Sequence, residues 1–238
     1  MTGTNWSKHA DAAETDRFVG LREIPAGDEF ERTIASSRVT IVDASTQLFY
    51  RVESGLEAGA LLNYIRRHDV KSIKAQHGPL AITVEGRKRE HTFDFFITFE
   101  NGVRVLVAVK PKGRKAAELD VLLEQFRNHL SKLGADYIVL LTDDEISKAV
   151  VKMAGEMVRS REIKNVEHTA EVYKRLLAAG RSIPVYELFD AVPRMMLADI
   201  WTSVCALMDE GLVEHDHAAP EKESFSWLSL ICAKKEGD

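Results

Sequence analysis

A carboxylate among aromatic residues and a terminal lysine occupy two neighbouring strand-like runs, 90–99 and 103–110. Asp94 lies among aromatic residues in the first run, and Lys110 ends the second. The dipeptide Asn101–Gly102 between them is typical of a type I′ hairpin turn, so we expect the strands to pair and to bring Asp94 near Lys110. Such a carboxylate could bridge a divalent metal to a phosphate, while the lysine orients water or stabilises negative charge. The pattern predicts metal-dependent phosphodiester hydrolysis; a structural ion pair is the alternative.

Three further residues bear on this site. Glu57 lies on a predicted amphipathic helix and is the second candidate carboxylate, although Ser54 and Glu57 also have the spacing of a capping box, in which the glutamate bonds a backbone amide. The backbone carbonyl of Val109 could add a metal ligand. Ala108, two residues before the lysine, stands where another polar ligand is normal, and a methyl group cannot coordinate a metal. The predicted site therefore lacks one side-chain ligand.

The surrounding sequence predicts one α/β domain with the element order αβββαβ. Apolar spacing of i, i+3, i+4 and i+7 indicates helices, and continuous or alternating apolar runs indicate strands. In chain order the predicted elements are a β-type segment that leads into a helix over 38–68, strands at 80–84, 90–99 and 103–110, a helix over 115–134, a buried parallel strand at 136–141, and a helix from a capping box at 142–145 to about residue 160.

A second unit of three helices and a β-hairpin is predicted after this domain. The helices are expected at 169–180, 183–192 and 197–211, and the hairpin strands at 212–216 and 225–231. This is the order of a winged helix, a variant of the helix-turn-helix. The third helix carries almost no basic residues, so protein docking or a structural role is as good an interpretation as DNA reading. The predicted boundaries are a flexible lead-in over 1–30, an α/β domain over 31–163, and a winged-helix-like domain over 164–238.

The composition is ordinary for a globular protein, with 45% hydrophobic and 29% charged residues in 238. No apolar run approaches the roughly 20 residues that span a bilayer, and the polar, acidic N-terminus does not have the pattern of a signal peptide. Cys205 and Cys232 do not have metal-ligand or redox spacing. We therefore expect a cytoplasmic, reducing setting without a membrane partner.

The formal net charge of −5 argues against a protein that coats nucleic acid without specificity. A local basic face is still compatible with it, and the stretches 66–74, 110–115 and 164–175 could supply one. The candidate DNA contacts are Lys112, Arg114 and Lys115. A solvated charged face is the alternative interpretation of the same residues.

Taken in order, these motifs resemble the TnsA-type endonucleases, which cut one transposon strand in heteromeric transposases and belong to the PD-(D/E)xK restriction-enzyme-like nucleases. Members show an ES-x-LE helix, a glutamine about twenty residues later, a D-F strand, and an acid or glutamine before V-K-P. The matching residues here are Glu53, Ser54, Leu56, Glu57, Gln76, Asp94, Phe95, Val109, Lys110 and Pro111. The resemblance covers residues 45–145, and the family also places a winged-helix-type domain after the nuclease.

The resemblance implies a restriction-endonuclease-like core in which Glu57 and Asp94 bind Mg²⁺, with Mn²⁺ as a substitute, and Lys110 belongs to the catalytic set. Gln76 would contact the site or DNA, or be an ordinary strand-edge amide. The substrate would be double-stranded DNA at a transposon end. The implied partners are a DDE-type transposase and an ATPase regulator.

Ala108 departs from the family pattern, and three accounts of it remain open: a weaker natural nuclease, an inactive descendant, or an engineered alanine. The leading hypothesis is a metal-dependent DNA endonuclease. The second is a catalytically weakened or inactive DNA- or protein-binding factor of a mobile element. The third is a winged-helix regulator whose N-terminal domain only assembles a complex.

Overall fold

The chain has a mixed α/β fold, described by a computed structural model over residues 39–43, 46–220 and 222–234. This agrees with the predicted fold class. The predicted lead-in over 1–30 lies outside the described residues. None of the helices within these ranges combines the length and apolar character needed to cross a membrane.

The described residues of the first part of the chain form six strands and four helices. The strands are β1 (Val39–Asp43), β2 (Leu48–Val52), β3 (Val70–Val84), β4 (Arg87–Phe99), β5 (Arg104–Val109) and β6 (Tyr137–Leu141). The helices are α1 (Gly55–Ile65), α2 (Arg114–Arg127), α3 (Leu130–Leu133) and α4 (Lys148–Ile163). The order from α1 to β6 contains the predicted αβββαβ sequence of elements, with the short helix α3 added before β6.

The second part is mainly helical with a small antiparallel sheet. Its elements are α5 (Val166–Ala179), β7 (Ile183–Pro184), a 3₁₀ turn (Val185–Glu187), α6 (Leu188–Ala191), α7 (Leu197–Asp209), β8 (Val213–His215) and β9 (Leu230–Ala233). The sheet order is β7-β9-β8. The last predicted strand, 225–231, was placed too early, because pairing with β8 runs from His215↔Ile231 to Val213↔Ala233.

A four-stranded mixed sheet in the order β3-β4-β5-β6 forms the centre of the first part. The first three strands are antiparallel, and β6 runs parallel to β5 after the crossover through α2. Strand β5 is buried from Val105 to Val109. Its side chains alternate between an apolar cluster with α1 and one with α2, so the two helices cover opposite faces of the sheet.

The turn between β4 and β5 differs from the predicted type I′. The hairpin itself is present, since Phe95 pairs with Val107 and Thr98 with Arg104. A type I′ turn needs positive φ at both central residues, but Asn101 is not among the non-glycine residues with positive φ in the described ranges. Gly102 has φ +85 and donates its N–H to the Phe99 carbonyl at 2.9 Å. This is the longer loop in which a left-handed glycine follows a turn.

Four other element boundaries were wrong. The β-type segment before α1 is a hairpin of two strands, β1 and β2. Strand β3 begins at Val70, ten residues earlier than predicted; its first half, VKSIKAQ, is mostly polar and has no regular apolar alternation. The predicted helix over 115–134 breaks after Arg127, whereas its start, at Arg114, and its end at the left-handed Gly134 agree with the prediction within one residue. Thr142 and Glu145 do bond each other, but the N-cap of α4 is Ser147.

A partly buried arginine joins the two parts of the chain. The Arg161 guanidinium on α4 bonds both carboxylate oxygens of Asp209 at 2.8 and 2.9 Å. It also donates to the carbonyls of Ile65 and Arg66, at 3.0 and 2.8 Å, where α1 ends. The Asp209 side chain is only 4% exposed. One side chain thus satisfies the end of α1 and the buried carboxylate of α7 together.

We expect Arg161→Met to lower the free energy of unfolding by about 3–5 kcal/mol, because it leaves the Asp209 carboxylate buried without its cation. Urea denaturation followed by circular dichroism measures this. The control is Lys164→Met, which removes the more exposed pair with Glu210 and should change stability by about 1 kcal/mol or less. Equal losses in the two variants would contradict the role given to Arg161.

Candidate active site beside strands β4 and β5

Asp94 lies where the backbone pairing of β4 with β5 stops. That pairing runs only as far as Phe95↔Val107. Immediately beyond it, Asp94 Oδ2 accepts a hydrogen bond of 2.7 Å from the Val109 N–H. The side chain therefore satisfies an amide that the diverging strand no longer reaches, and the bond fixes the orientation of the carboxylate.

The pKa of Asp94 is raised from its usual 3.8 to about 7. Burial is the largest cause, and the nearby Glu57 carboxylate adds to it. The hydrogen bond from Val109 and the positive charge of Lys110 act in the opposite direction. Glu57, Asp94 and Lys110 are therefore close enough to influence one another electrostatically, as the sequence predicted.

Glu57 is 8% exposed and takes part in the predicted capping box. Its Oε2 accepts the Glu53 N–H at 2.9 Å, and its Oε1 accepts the Ser54 hydroxyl at 2.8 Å. Ser54 Oγ in turn accepts the Glu57 N–H at 3.1 Å. The helix therefore begins at Ser54 with both oxygens of Glu57 already bonded once. Each carboxylate oxygen keeps a second lone pair that could still bind a cation.

Gln76 lies across from Asp94 on the neighbouring strand. The residues on either side of it pair with those on either side of Asp94, Ala75 with Phe95 and His77 with Phe93. Gln76 has φ +50, a left-handed conformation that is uncommon outside glycine and persists only where the surrounding packing holds it. The structure thus brings the predicted supporting glutamine to the site.

Both strands switch faces at this point. Phe95 packs in the α1 cluster, whereas Phe93, two residues earlier, packs in the α2 cluster. In a regular strand these two side chains would share a face. The His77 ring stacks on Phe96 with centroids 4.7 Å apart. This local irregularity places a carboxylate at the boundary between the two apolar clusters instead of inside either one.

Gly78 permits the same irregularity. It has φ +143, and a Cβ there would lie 2.9 Å from the Leu80 nitrogen and 3.0 Å from the His91 oxygen. No side chain fits against these backbone atoms. The shift in register between His77 and Leu80 therefore depends on a glycine at this position.

Lys110 and Ala108 lie in different surroundings. Lys110 is exposed, and its backbone N–H donates to the Leu141 carbonyl at 3.0 Å. In the described ranges, it forms no ion pair with Asp94 within 4.0 Å. Ala108 is fully buried in the α2 cluster beside Leu106 and Phe126. Ala108, the predicted ligand position, thus faces α2. Glu57 lies on α1, which covers the opposite face of the sheet.

The three residues predicted to contact DNA follow strand β5. Lys112 pairs with Asp144 at 2.5 Å, and its backbone N–H donates to Asp143. Arg114 pairs with Glu118 at 3.1 Å and its side chain is 89% exposed. Lys115 is exposed. Carboxylates of this chain therefore already neutralise part of the basic run.

His91 is a residue of this region that the sequence did not indicate. Its Nε2 is buried and has no hydrogen-bond partner in the described part of the chain. Burial and the charge of Lys110 lower its pKa, and its ring packs edge-on against Phe93. In a regular strand, residues three apart face opposite sides, so periodicity alone does not place this histidine with Asp94. His91 approaches Lys110 because β4 runs antiparallel to β5, so that the residues before Phe95 lie beside those after Val107.

The donor set fits a magnesium ion that arrives with a phosphate better than a fully preformed metal centre. Within the described residues, no group of three or more His, Cys, Asp or Glu side chains could hold a metal. Two carboxylates, Glu57 and Asp94, do lie close enough to raise the pKa of Asp94, and a cation between them would relieve that repulsion. Magnesium commonly binds through one or two carboxylates, with waters and substrate phosphates as its remaining ligands.

Comparison with known proteins identifies no family: no family model matches the chain, and no curated protein matches it significantly. Any function must therefore be argued from the motif residues and their geometry.

We expect Asp94→Asn to stabilise the protein at pH 8 and to lose this effect near pH 4. The raised pKa means that the folded state binds more protons than the unfolded state between about 3.8 and 7. Stability therefore falls as pH rises through this window, and the full penalty is present above it. Removing the charge should raise the free energy of unfolding at pH 8 by roughly 1–3 kcal/mol. Thermal or urea unfolding at the two pH values measures it.

The control for this experiment is Asp136→Asn. The pKa of the exposed Asp136 is lowered by its hydrogen bond with Arg104, so the variant should give no gain at pH 8. Destabilisation of Asp94→Asn at pH 8 would instead mean that the ionised Asp94 carboxylate is needed for folding.

Proposed function

We propose that this chain is a metal-dependent DNA endonuclease of TnsA type, with a restriction-endonuclease-like core followed by a winged-helix domain. The observation that carries the proposal is the partly buried Asp94 carboxylate, held by the Val109 N–H and influenced by Glu57 and Lys110. Gln76 lies across from it in the unusual left-handed conformation. Perturbed carboxylates beside a lysine are typical of catalytic sites.

In this proposal Glu57, Asp94 and the Val109 carbonyl hold Mg²⁺, which would polarise a phosphoryl oxygen and lower the pKa of bound water. The Val109 N–H keeps the Asp94 carboxylate in one orientation. The exposed ammonium of Lys110 is available to stabilise negative charge on the phosphate. Gln76 supplies an amide on the opposite strand for a hydrogen bond to substrate. The resemblance also suggests a DDE-type transposase and an ATPase regulator as partners.

A second function has specific support from two contacts. Both oxygens of Glu57 already bond the start of α1, and Ala108 is packed in an apolar cluster. These contacts favour a nuclease-fold protein with a weakened site that acts as a DNA- or protein-binding factor of a mobile element.

The first test is nicking of duplex DNA with Mg²⁺ or Mn²⁺, together with a transposase partner. Asp94→Asn should lower the rate at least about 100-fold, because a neutral amide binds a hard cation poorly. The matched control, Asp136→Asn, removes an exposed carboxylate beside Arg104 and should leave nicking unchanged. At Mg²⁺ concentrations too low to saturate the site, the wild-type rate should fall as the pH drops below about 7, because protonation of Asp94 competes with metal binding. Nicking that survives in Asp94→Asn would remove the proposed site.

The second test separates the active nuclease from the weakened one by calorimetric titration with Mg²⁺. Binding to the unaltered chain that disappears in Asp94→Asn supports the active site. Ala108→Glu should lower stability by several kcal/mol in chelator, because it buries a carboxylate among Leu106 and Phe126. If Mg²⁺ binds only to Ala108→Glu and restores its stability, the framework is intact but lacks its ligand. The weakened-site function would then be the correct one.

A further inference from the structure

The hairpin of β3 and β4 extends far beyond the sheet. Strand β4 pairs with β5 only over four residues, from Thr98 back to Phe95. Its pairing with β3 continues to Val84↔Arg87. Residues 80–91 therefore form a two-stranded β-ribbon, called the ribbon below.

The ribbon leaves the sheet at the edge that carries the candidate active site. Because β4 and β5 are antiparallel, the beginning of β4 lies towards the end of β5, where Lys110 follows. Strand β6 is parallel to β5 and ends at the same edge. Asp94 is thus at the base of the ribbon, and the first turn of α2 begins beside it.

One side of the ribbon rests on the protein. Ile82 is 5% exposed in the α2 cluster, and Leu80 and Val84 pack against the same cluster. Arg87 pairs with Val84 and Arg89 with Ile82, so both arginines point to the α2 side of the ribbon. The first turn of α2, on that side, carries Arg114 and Lys115.

The hairpin is basic although the whole chain is acidic. From Val70 to Phe99 there are five Lys and Arg residues against three Asp and Glu, whereas the full chain has 32 against 37. One of the three acids is Asp94. Lys88 pairs with Glu90. Arg87 and Arg89 are exposed, and neither takes part in an ion pair within 4.0 Å in the described part of the chain.

We propose that the ribbon is an arm that contacts duplex DNA, with Arg87 and Arg89 binding phosphates some distance from the point of cleavage. This inference rests on the proposed function. Seven residues separate Arg87 from Asp94, or about 23 Å of extended strand. Duplex DNA rises about 3.4 Å per base pair. The contact of Arg87 therefore lies about seven base pairs from the scissile phosphate, and that of Arg89, five residues from Asp94, about five base pairs from it.

The shape and chemistry of the ribbon favour nucleic acid over a protein partner. Two paired strands are narrow enough to lie in or along a major groove about 12 Å wide. Arginine binds phosphate through two parallel hydrogen bonds. The exposed surface of the ribbon from Glu85 to Glu90 is entirely charged or glycine, so it has no apolar anchor of the kind that protein interfaces use.

The test is binding of the full chain to a fluorescent duplex of about 30 base pairs, measured by anisotropy in EDTA over a salt series. The double variant Arg87→Gln/Arg89→Gln should bind about tenfold or more weakly near 0.1 M salt, with the slope of log K against log salt reduced by about 1.8. Unchanged affinity and slope would overturn the proposal, as would a wild-type chain that does not bind duplex DNA.

Two control variants separate a local effect from bulk charge. Arg51→Gln/Arg159→Gln removes the same charge from exposed positions on β2 and α4, and should change affinity less than twofold. Glu90→Gln, which frees Lys88 on the ribbon, should tighten binding. Equal weakening in the two arginine double variants would assign the effect to net charge and overturn the arm.

The nicking assay keeps this inference distinct from the proposed function. If duplex binding depends on Arg87 and Arg89 but no metal supports cleavage, the DNA-contacting arm is supported and the endonuclease activity is rejected. If nicking requires Asp94 while Arg87→Gln/Arg89→Gln binds DNA as the wild type does, the endonuclease activity is supported and the DNA-contacting arm is rejected.

Discussion

The hydrogen bond from the Val109 N–H to Asp94 is the interaction around which the sheet edge is built. It replaces a backbone ladder contact at the point where β4 leaves β5, so the carboxylate holds together strands that would otherwise separate. The same contact draws a carboxylate into partly buried surroundings, where ionisation is unfavourable and the pKa rises to about 7. The left-handed Gln76, the close approach at Gly78 and the exposed Lys110 all lie around this one side chain.

Such an arrangement is poor design for stability alone. An asparagine at position 94 could accept the same N–H without the penalty of a partly buried charge, and a regular strand would need neither a left-handed glutamine nor a glycine at position 78. Local strain and an unfavourable charge persist where function depends on them, while the rest of the fold supplies the compensating stability. Here the buried aromatic residues Phe93 and Phe95, one in each apolar cluster, provide that support.

The sequence predicted which charged residues come together better than it predicted the elements that carry them. Asp94, Lys110 and Glu57 were expected to meet, and the capping box at Ser54 was legible because it depends on residues three apart. The beginning of β3 was missed because its first half, VKSIKAQ, is mostly polar and has no regular apolar period. His91 was missed for a different reason: its approach to Lys110 and its burial depend on the pairing of β4 with β5 and on packing against Phe93, which are contacts distant in sequence or outside strand periodicity.

The wrong turn type between β4 and β5 shows how a correct pairing can rest on an incomplete local argument. Asn-Gly strongly favours a two-residue type I′ loop, yet the strands here pair in a register that leaves a longer loop. Burial of β5 on both faces decides this register, since a slip by one residue would exchange its two sets of side chains between the α1 and α2 clusters. The cores therefore dictate the turn, and not the reverse.

The position of the ribbon follows from the same packing. Strand β5 ends at Val109, so β4 has no partner on that side before Asp94, and β3 alone continues beside it. A free two-stranded ribbon is only marginally stable, but Ile82 anchors this one to the α2 cluster. Its distance from Asp94 is therefore fixed by the strand itself. A charged ribbon held at a fixed distance from a carboxylate can contact an extended, regularly charged polymer at a fixed number of repeats from that carboxylate. Duplex DNA is a polymer of this form.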